Sequence, residues 1–131
     1  MQNRRQILKG LAAGLPALTL AGPLSAASEA VTRGVFTGAS GHVTTGTGLL
    51  IRDGASFAVQ LGADFVFDGA PDPKVALGRD GYDASAILGA LQKNTGLQVY
   101  PIPASIDAVS YNEIWIWCER FNVPLGSARL A

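Results

Sequence analysis

The sequence predicts an all-β domain, an antiparallel β-sandwich or barrel with at most one short helix. Three observations carry this. Glycine and proline recur at short intervals from Gly34 to Gly126, leaving room for short strands but not long helices. The apolar residues between them alternate with period two, the mark of half-buried strands. Asp53-Gly54 separates Leu49-Leu50-Ile51 from Phe57-Ala58-Val59, a hairpin signal because glycine supplies the positive φ the turn needs.

Taken in order, the chain opens with Arg4, Arg5 and Lys9 and no acid. An apolar stretch from Gly10 to Leu20 follows, then small residues at Ser25, Ala26, Ala27 and Ser28. This is the three-part layout of a cleavable secretory signal. The stretch is too short for a membrane-spanning helix, which needs about 20 residues. Cleavage after Ala27 is expected, and cleavage after Ala30 also fits. The string Asn3-Arg4-Arg5-Gln6-Ile7-Leu8-Lys9 resembles the twin-arginine export signal. That route carries folded proteins, so any cofactor could be loaded before export. Residues 28–131 are then one periplasmic or secreted domain with no stable membrane anchor.

Within that domain, Phe57, Val59 and Leu61 alternate with Ala58 and Gln60, and Lys74-Val75-Ala76-Leu77 reads as another short strand. The segment from Asp83 to Gln92 is the one helical candidate, with Asp83 as its cap and Ile87, Leu88 and Leu91 on one face; Gly89 weakens it by roughly 1 kcal/mol relative to alanine. In the strand from Asn112 to Cys118, Ile114, Ile116 and Cys118 share one face and Trp115 and Trp117 the other, with Glu113 and Glu119 at its ends. Two largely apolar faces suit a strand covered on both sides. Phe121, Val123 and Leu125 alternate in the last strand.

Charge excludes some functions. After residue 27 there are seven basic and ten acidic residues, a net charge of −3. Nucleic acid needs a basic stripe that is missing here, and electrostatic membrane binding gains no support. Cys118 is the only cysteine, so no intrachain disulfide can form and the thiol must be buried, paired with another molecule, ligated or chemically used. A reactive thiol needs a lowered pKa and access. On the face of Ile114 and Ile116 the sulfur would be inert core; at the strand's end, where the chain leaves the core, it would be reachable. Both readings stand. His42, the only histidine, lies among glycines on a loop or strand start and is either a hydrogen-bonding surface residue or, with Cys118, half of a haem or metal ligand pair.

Other chemistries are poorly served. C-x-x-C-H is absent, and one Cys with one His cannot supply a structural zinc site. Asp64, Asp68, Asp72, Asp80 and Asp83 cluster in the sequence; turn formation explains them more simply than a cation loop or paired-carboxylate hydrolysis. Gly46-Thr47-Gly48 lacks the third glycine and helix of a phosphate loop, and the single histidine has no recognisable nucleophile motif. Trp115 and Trp117 are candidates for core packing first, and for a binding surface or electron relay second.

The chain resembles the DM13 domain family. The resemblance is carried by Gly41-His42-Val43 with Gly46-Thr47-Gly48, by Asp64-Phe65 and by Gly69-Ala70-Pro71-Asp72-Pro73. It continues through Gly96-Leu97-Gln98-Val99-Tyr100, Ile102-Pro103 and Tyr111-Asn112, and is strongest from Ile116 to Gly126, Ile-Trp-Cys-Glu-Arg-Phe-Asn-Val-Pro-Leu-Gly. It implies a compact β-rich extracytoplasmic domain with a redox or electron-transfer role, an electron-transfer or accessory protein more than a stand-alone enzyme, and a redox partner protein. The family's cysteine matches Cys118, implied to act as a bare thiol or to hold a prosthetic group such as haem. The alternative is a non-catalytic extracytoplasmic binding or structural domain whose cysteine is buried core.

Overall fold

The computed structural model describes residues 28–131; the predicted leader, 1–27, lies outside the described residues. Ten strands form: β1 (Glu29–Gly38), β2 (Thr44–Thr45), β3 (Thr47–Asp53), β4 (Ser56–Leu61), β5 (Val66–Phe67), β6 (Pro73–Gly78), β7 (Tyr82–Ala90), β8 (Gln98–Ile102), β9 (Glu113–Cys118) and β10 (Val123–Arg129). Eight of them make one antiparallel sheet in the order β7-β6-β9-β10-β1-β3-β4-β8. The sheet curls until its two edges meet. Tyr100 on β8 accepts a hydrogen bond at its hydroxyl from the Gln92 backbone N–H (2.8 Å), and Gln92 Nε2 donates to the Val99 carbonyl (2.7 Å). Of the two all-β architectures expected, the chain forms the barrel, nearly closed. Curling hides the edge strands that an open sheet would expose.

The core fills the barrel. Leu50, Val59, Leu61, Val75, Leu77, Ile114, Ile116 and Leu125 are buried in one cluster. The Asp53-Gly54 turn joins β3 to β4 as expected, with Gly54 at φ 66°.

Two sequence expectations need correction. The segment from Asp83 to Gln92 is not a helix; most of it is β7, and a 3-10 turn at Ala108–Ser110 is the only helical piece among the described residues. The cause is a bulge. Val75 pairs with Gly89 and Ala76 with Ile87, so Leu88 is an extra residue. A bulge turns neighbouring residues out of strict alternation, and Ile87 and Leu88, with Leu91 just past the strand's end, therefore show helical spacing. Asp83 caps no helix; its carboxylate accepts from the Ser85 N–H and hydroxyl. The last strand begins at Val123, not Phe121, which stands exposed in the β9–β10 turn beside Asn122 at φ 55°.

The antiparallel order sorts the loops between two rims. At one rim β1, β4, β7 and β9 end and β3, β6, β8 and β10 begin. The small β2–β5 sheet lies here as a lid, with Phe65 and Phe67 buried and Phe65 edge-on to Phe36 at 5.3 Å. The lid is seated on the paired glycines Gly38 and Gly126. A Cβ at Gly38 would lie 2.0 Å from the His42 carbonyl oxygen, and one at Gly126 would lie 2.6 Å from Thr44 Cβ. Only glycine lets the lid backbone come so close. Thr44, itself buried, then donates from Oγ1 to the Leu125 carbonyl at 2.9 Å.

Candidate functional site

Every residue singled out for redox chemistry lies at or just beneath the lid rim or on the outer face of β9. Cys118 ends β9, opposite Pro73 on β6 and Val123 on β10. Its side chain continues the inward face of Ile114 and Ile116, the first of the two placements the strand allowed, and the residue is 1% exposed. The sulfur is covered by the segment Pro71-Asp72-Pro73, donating a hydrogen bond from Sγ to the Pro71 carbonyl at 3.1 Å.

That covering segment is tied down on its outer side. The Glu119 N–H donates to the Asp72 carbonyl (3.2 Å). Lys74 Nζ bridges two carboxylates, Asp72 Oδ1 at 2.8 Å and Glu119 Oε1 at 2.6 Å. The Lys74 ammonium holds the Asp72 carboxyl below the usual carboxylate range, with the Arg120 charge adding to it. Asp72 in turn, then Glu119, raises Lys74 above its ordinary value. Asp72 sits at φ 55°, a left-handed conformation that Asp tolerates better than most residues. The sequence showed a rigid Pro-Asp-Pro turn; that it covers the cysteine was not readable there, because the contact spans 47 positions.

His42 lies in the loop between β1 and β2. Its Nδ1 is 2.9 Å from Asp68 Oδ1, and its ring packs on Phe67 with centroids 5.7 Å apart. The other Asp68 oxygen accepts from the Val43 N–H at 2.9 Å. This backbone bond first, and the His42 bond second, hold Asp68 below the ordinary carboxylate value. The pair pins the lid. No hydrogen bond, ion pair or ring contact among the described residues joins His42 to Cys118. The remaining acids act as locks in turns. Asp64 accepts from the Thr47 N–H and hydroxyl, bonds that lower its pKa. Asp80 pairs with Arg129 (3.1 Å), and Asp83 accepts from the Tyr111 hydroxyl (2.7 Å). Among the described residues no group of three or more His, Cys, Asp or Glu is placed to hold a metal ion.

The outer face of β6, β7 and β9 carries an aromatic cluster that the sequence only half revealed. Tyr82 stacks on Trp117 with centroids 3.8 Å apart and planes 5° from parallel. Trp115 meets Trp117 edge-on at 5.9 Å. Small residues make the room. Ala76 and Gly78 on β6 pair with Trp115 and Glu113, and a Cβ at Gly78 would come within 2.4 Å of Trp115 Nε1. Trp115 Nε1 donates to Glu113 Oε1 (3.0 Å), and Trp117 Nε1 to Asn122 Oδ1 (3.3 Å). Burial pushes the Tyr82 phenol up from its ordinary value. Trp117 directly precedes Cys118, so a short covalent path joins the outer cluster to the inward sulfur. The two tryptophans were visible in the strand pattern; Tyr82 was not, since only the β6–β7–β9 register brings it there.

These features define a small β-barrel whose one thiol is buried beneath a lid rim. The chain matches the family model described as electron transfer DM13 over residues 36–130. It belongs to the DM13 electron-transfer domain family. No curated protein and no solved structure matches it.

The haem that the resemblance raised can be tested against the residues, and they do not fit it. The Cys118 sulfur is packed in the core and committed to Pro71. A cavity of about 390 Å³ lies at the opposite rim, lined by residues of the β3–β4 turn and of the connection from Ile102 to Ala108, and Cys118 and His42 are not among them. An axial ligand needs an open coordination path to the iron, which this packing does not offer.

Proposed function

We propose that this protein is an exported electron-transfer domain that works with a redox partner protein and uses Cys118 as a bare thiol. Membership of the DM13 family supports the electron-transfer role. The observation that carries the cysteine is its placement: the sulfur lies one covering segment beneath the rim, and its chain neighbour Trp117 stands in the outer aromatic stack. His42 serves the lid in this reading and holds no cofactor. Export rests on the sequence of residues 1–27. Replacing both Arg4 and Arg5 by lysine is expected to leave the precursor in the cytoplasm if the leader uses the twin-arginine route. Processing and export at wild-type levels would argue for an ordinary secretory leader.

The test of the thiol is an anaerobic titration of the reduced, exported protein with ferricyanide, a mild one-electron acceptor. Two thiols joining as a disulfide release two electrons and two protons, one electron per chain. Wild type is expected to give that count and Cys118→Ser none. The serine hydroxyl can still donate to Pro71, which keeps the variant folded. Equal electron counts in the two proteins would instead support the second reading, a non-catalytic binding domain with a core cysteine. That reading is favoured by the burial of Cys118 itself.

A further inference from the structure

We propose that the cluster Tyr82–Trp117–Trp115, with Glu113 as its proton acceptor, is a one-electron relay on the outer face of the barrel. The proposal rests on the electron-transfer reading above and assigns that role to residues beyond the cysteine. Three observations meet in it. The first is contact: Tyr82 and Trp117 overlap face to face at 3.8 Å, and Trp117 touches Trp115 edge-on at 5.9 Å, so the π systems are continuous from Tyr82 on β7 to Trp115 on β9. The second is access. All three rings are half-buried, so a partner can approach the cluster while most of each ring is shielded from water.

The third is the proton path. An indole that loses an electron becomes a strongly acidic radical cation, and it settles as a neutral radical only if its N–H proton has somewhere to go. Trp115 Nε1 already donates to the carboxylate of Glu113 at 3.0 Å. Glu113 is buried and held in place on every side. Its Oε1 also accepts from the Gly81 N–H at 2.7 Å, and Arg129 approaches Oε2 at 3.3 Å from the solvent side. A carboxylate brought to an indole N–H in this way is more than packing requires, since Trp115 could have turned its N–H to water at a half-buried position.

The step balances as follows. A high-potential metal centre on a partner protein takes one electron from the Tyr82–Trp117 stack, and its oxidation state falls by one. Trp115 refills the stack with one electron. Its Nε1 proton moves along the existing hydrogen bond to Glu113 Oε1, leaving a neutral indolyl radical beside a carboxylic acid. A reduced metal centre on a donor protein later returns one electron to Trp115, and the proton goes back from Glu113.

The experiment is flash oxidation of the whole exported protein by photogenerated ruthenium(III) tris-bipyridine, followed by transient absorption. Wild type is expected to form a neutral tryptophanyl radical. Trp115→Phe should leave a protonated radical cation on Trp117, and Tyr82→Leu should slow electron loss at least tenfold. Glu113→Gln should likewise trap the radical cation. Because that variant also loses the charge pair with Arg129, the solvent isotope effect on radical formation in wild type serves as a second reading: an effect is expected, and none would mean that no proton moves. A neutral radical formed at the wild-type rate in Tyr82→Leu and Trp115→Phe would overturn the relay. Failure of the cysteine reading appears elsewhere, as equal ferricyanide counts in wild type and Cys118→Ser, because ferricyanide is too weak to oxidise an indole.

Discussion

The seating of the lid on Gly126 can be tested by a single methyl group. Gly126 faces into the barrel mouth, pairs with Gly38 on β1 and Ile116 on β9, and has neighbours on both sides that cannot move without breaking ladder bonds. In Gly126→Ala the new Cβ would stand 2.6 Å from both Cβ and Oγ1 of Thr44 and 2.9 Å from its Cγ2. All three contacts are shorter than van der Waals separation, so the β2 segment must lift, stretching the Thr44 bond to the Leu125 carbonyl. Overpacking of this kind costs about 1–3 kcal/mol. Unfolding entropy is about 2.1 cal/mol/K per residue near 60 °C, so a domain this size loses about 5 °C of Tm per kcal/mol. The expected fall is thus about 5–14 °C, read by thermal unfolding in near-UV circular dichroism.

The same geometry predicts the rescue. The three atoms nearest the new methyl group all belong to the Thr44 side chain. Thr44→Gly alone loses a buried hydrogen bond and a β-branched residue, but in that background the methyl group has room, and Gly126→Ala should cost less than about 0.5 kcal/mol. The coupling between the two sites is then most of the single-mutant penalty. An equal cost of Gly126→Ala in both backgrounds would refute the reasoning, and would mean that the glycine is needed for its backbone and not for the lid.

Three other outcomes are expected. Lys74→Met keeps the lysine's apolar stem but removes the bridge to Asp72 and Glu119; the rate at which Cys118 reacts with a thiol reagent under native conditions should rise, and in wild type it should rise with salt, whereas a rate that tracks only global stability would discount the clamp. Tyr82→Leu should cost about 0.5–1.5 kcal/mol beyond lost area and shift the tryptophan emission to longer wavelength. Stability should depend on pH at both extremes. Asp64, Asp68, Asp72, Asp80 and Asp83 have pKa values lowered in the fold, so the unfolded chain takes up protons first; their contribution is present above the ordinary value of 3.8 and is lost as pH falls through the lower folded values. Tyr100, raised by burial, and Tyr111, raised by its bond to Asp83, favour the neutral phenol in the fold. Their contribution is present below the ordinary value of 10 and is lost as pH climbs through the raised values. A Tm that stays flat below pH 4 would contradict the acid limb.

The sequence carried what neighbouring residues decide and missed what register decides. Period-two alternation put Ile114, Ile116 and Cys118 on one face and the tryptophans on the other, and Asp53-Gly54 marked the β3–β4 turn; the expected cover on both faces is not found, since the tryptophan face is the half-buried outside of the barrel. Such patterns are local, because a strand's two faces are fixed by its own pleat. Bulges are not local in this sense. The extra residue at Leu88 exists because β7 must follow β6, and in isolation it made a strand look helical. A second shift, between Pro124 and Gly126, places Leu125 in the core and frees Gly126 to seat the lid. Neither bulge leaves a mark on the hydrophobic pattern that differs from a helix or an unbroken strand.

The same division explains the candidate site. The strand pattern offered burial of Cys118 as one of two readings, and its cover was not legible at all, since Pro71 meets it across 47 positions. The Tyr82–Trp117 stack likewise depends on β6 lying between β7 and β9, with Ala76 and Gly78 small enough to let the rings meet above it. Whether the thiol is inert core or a stored reactant therefore cannot be a property of the strand that carries it. In the proposed reading it is set by the strength of the Asp72–Lys74–Glu119 clamp over the sulfur. An inert thiol would react only when the whole barrel unfolds, whereas a stored one would become reachable through local opening of that segment, at a free energy below the global value.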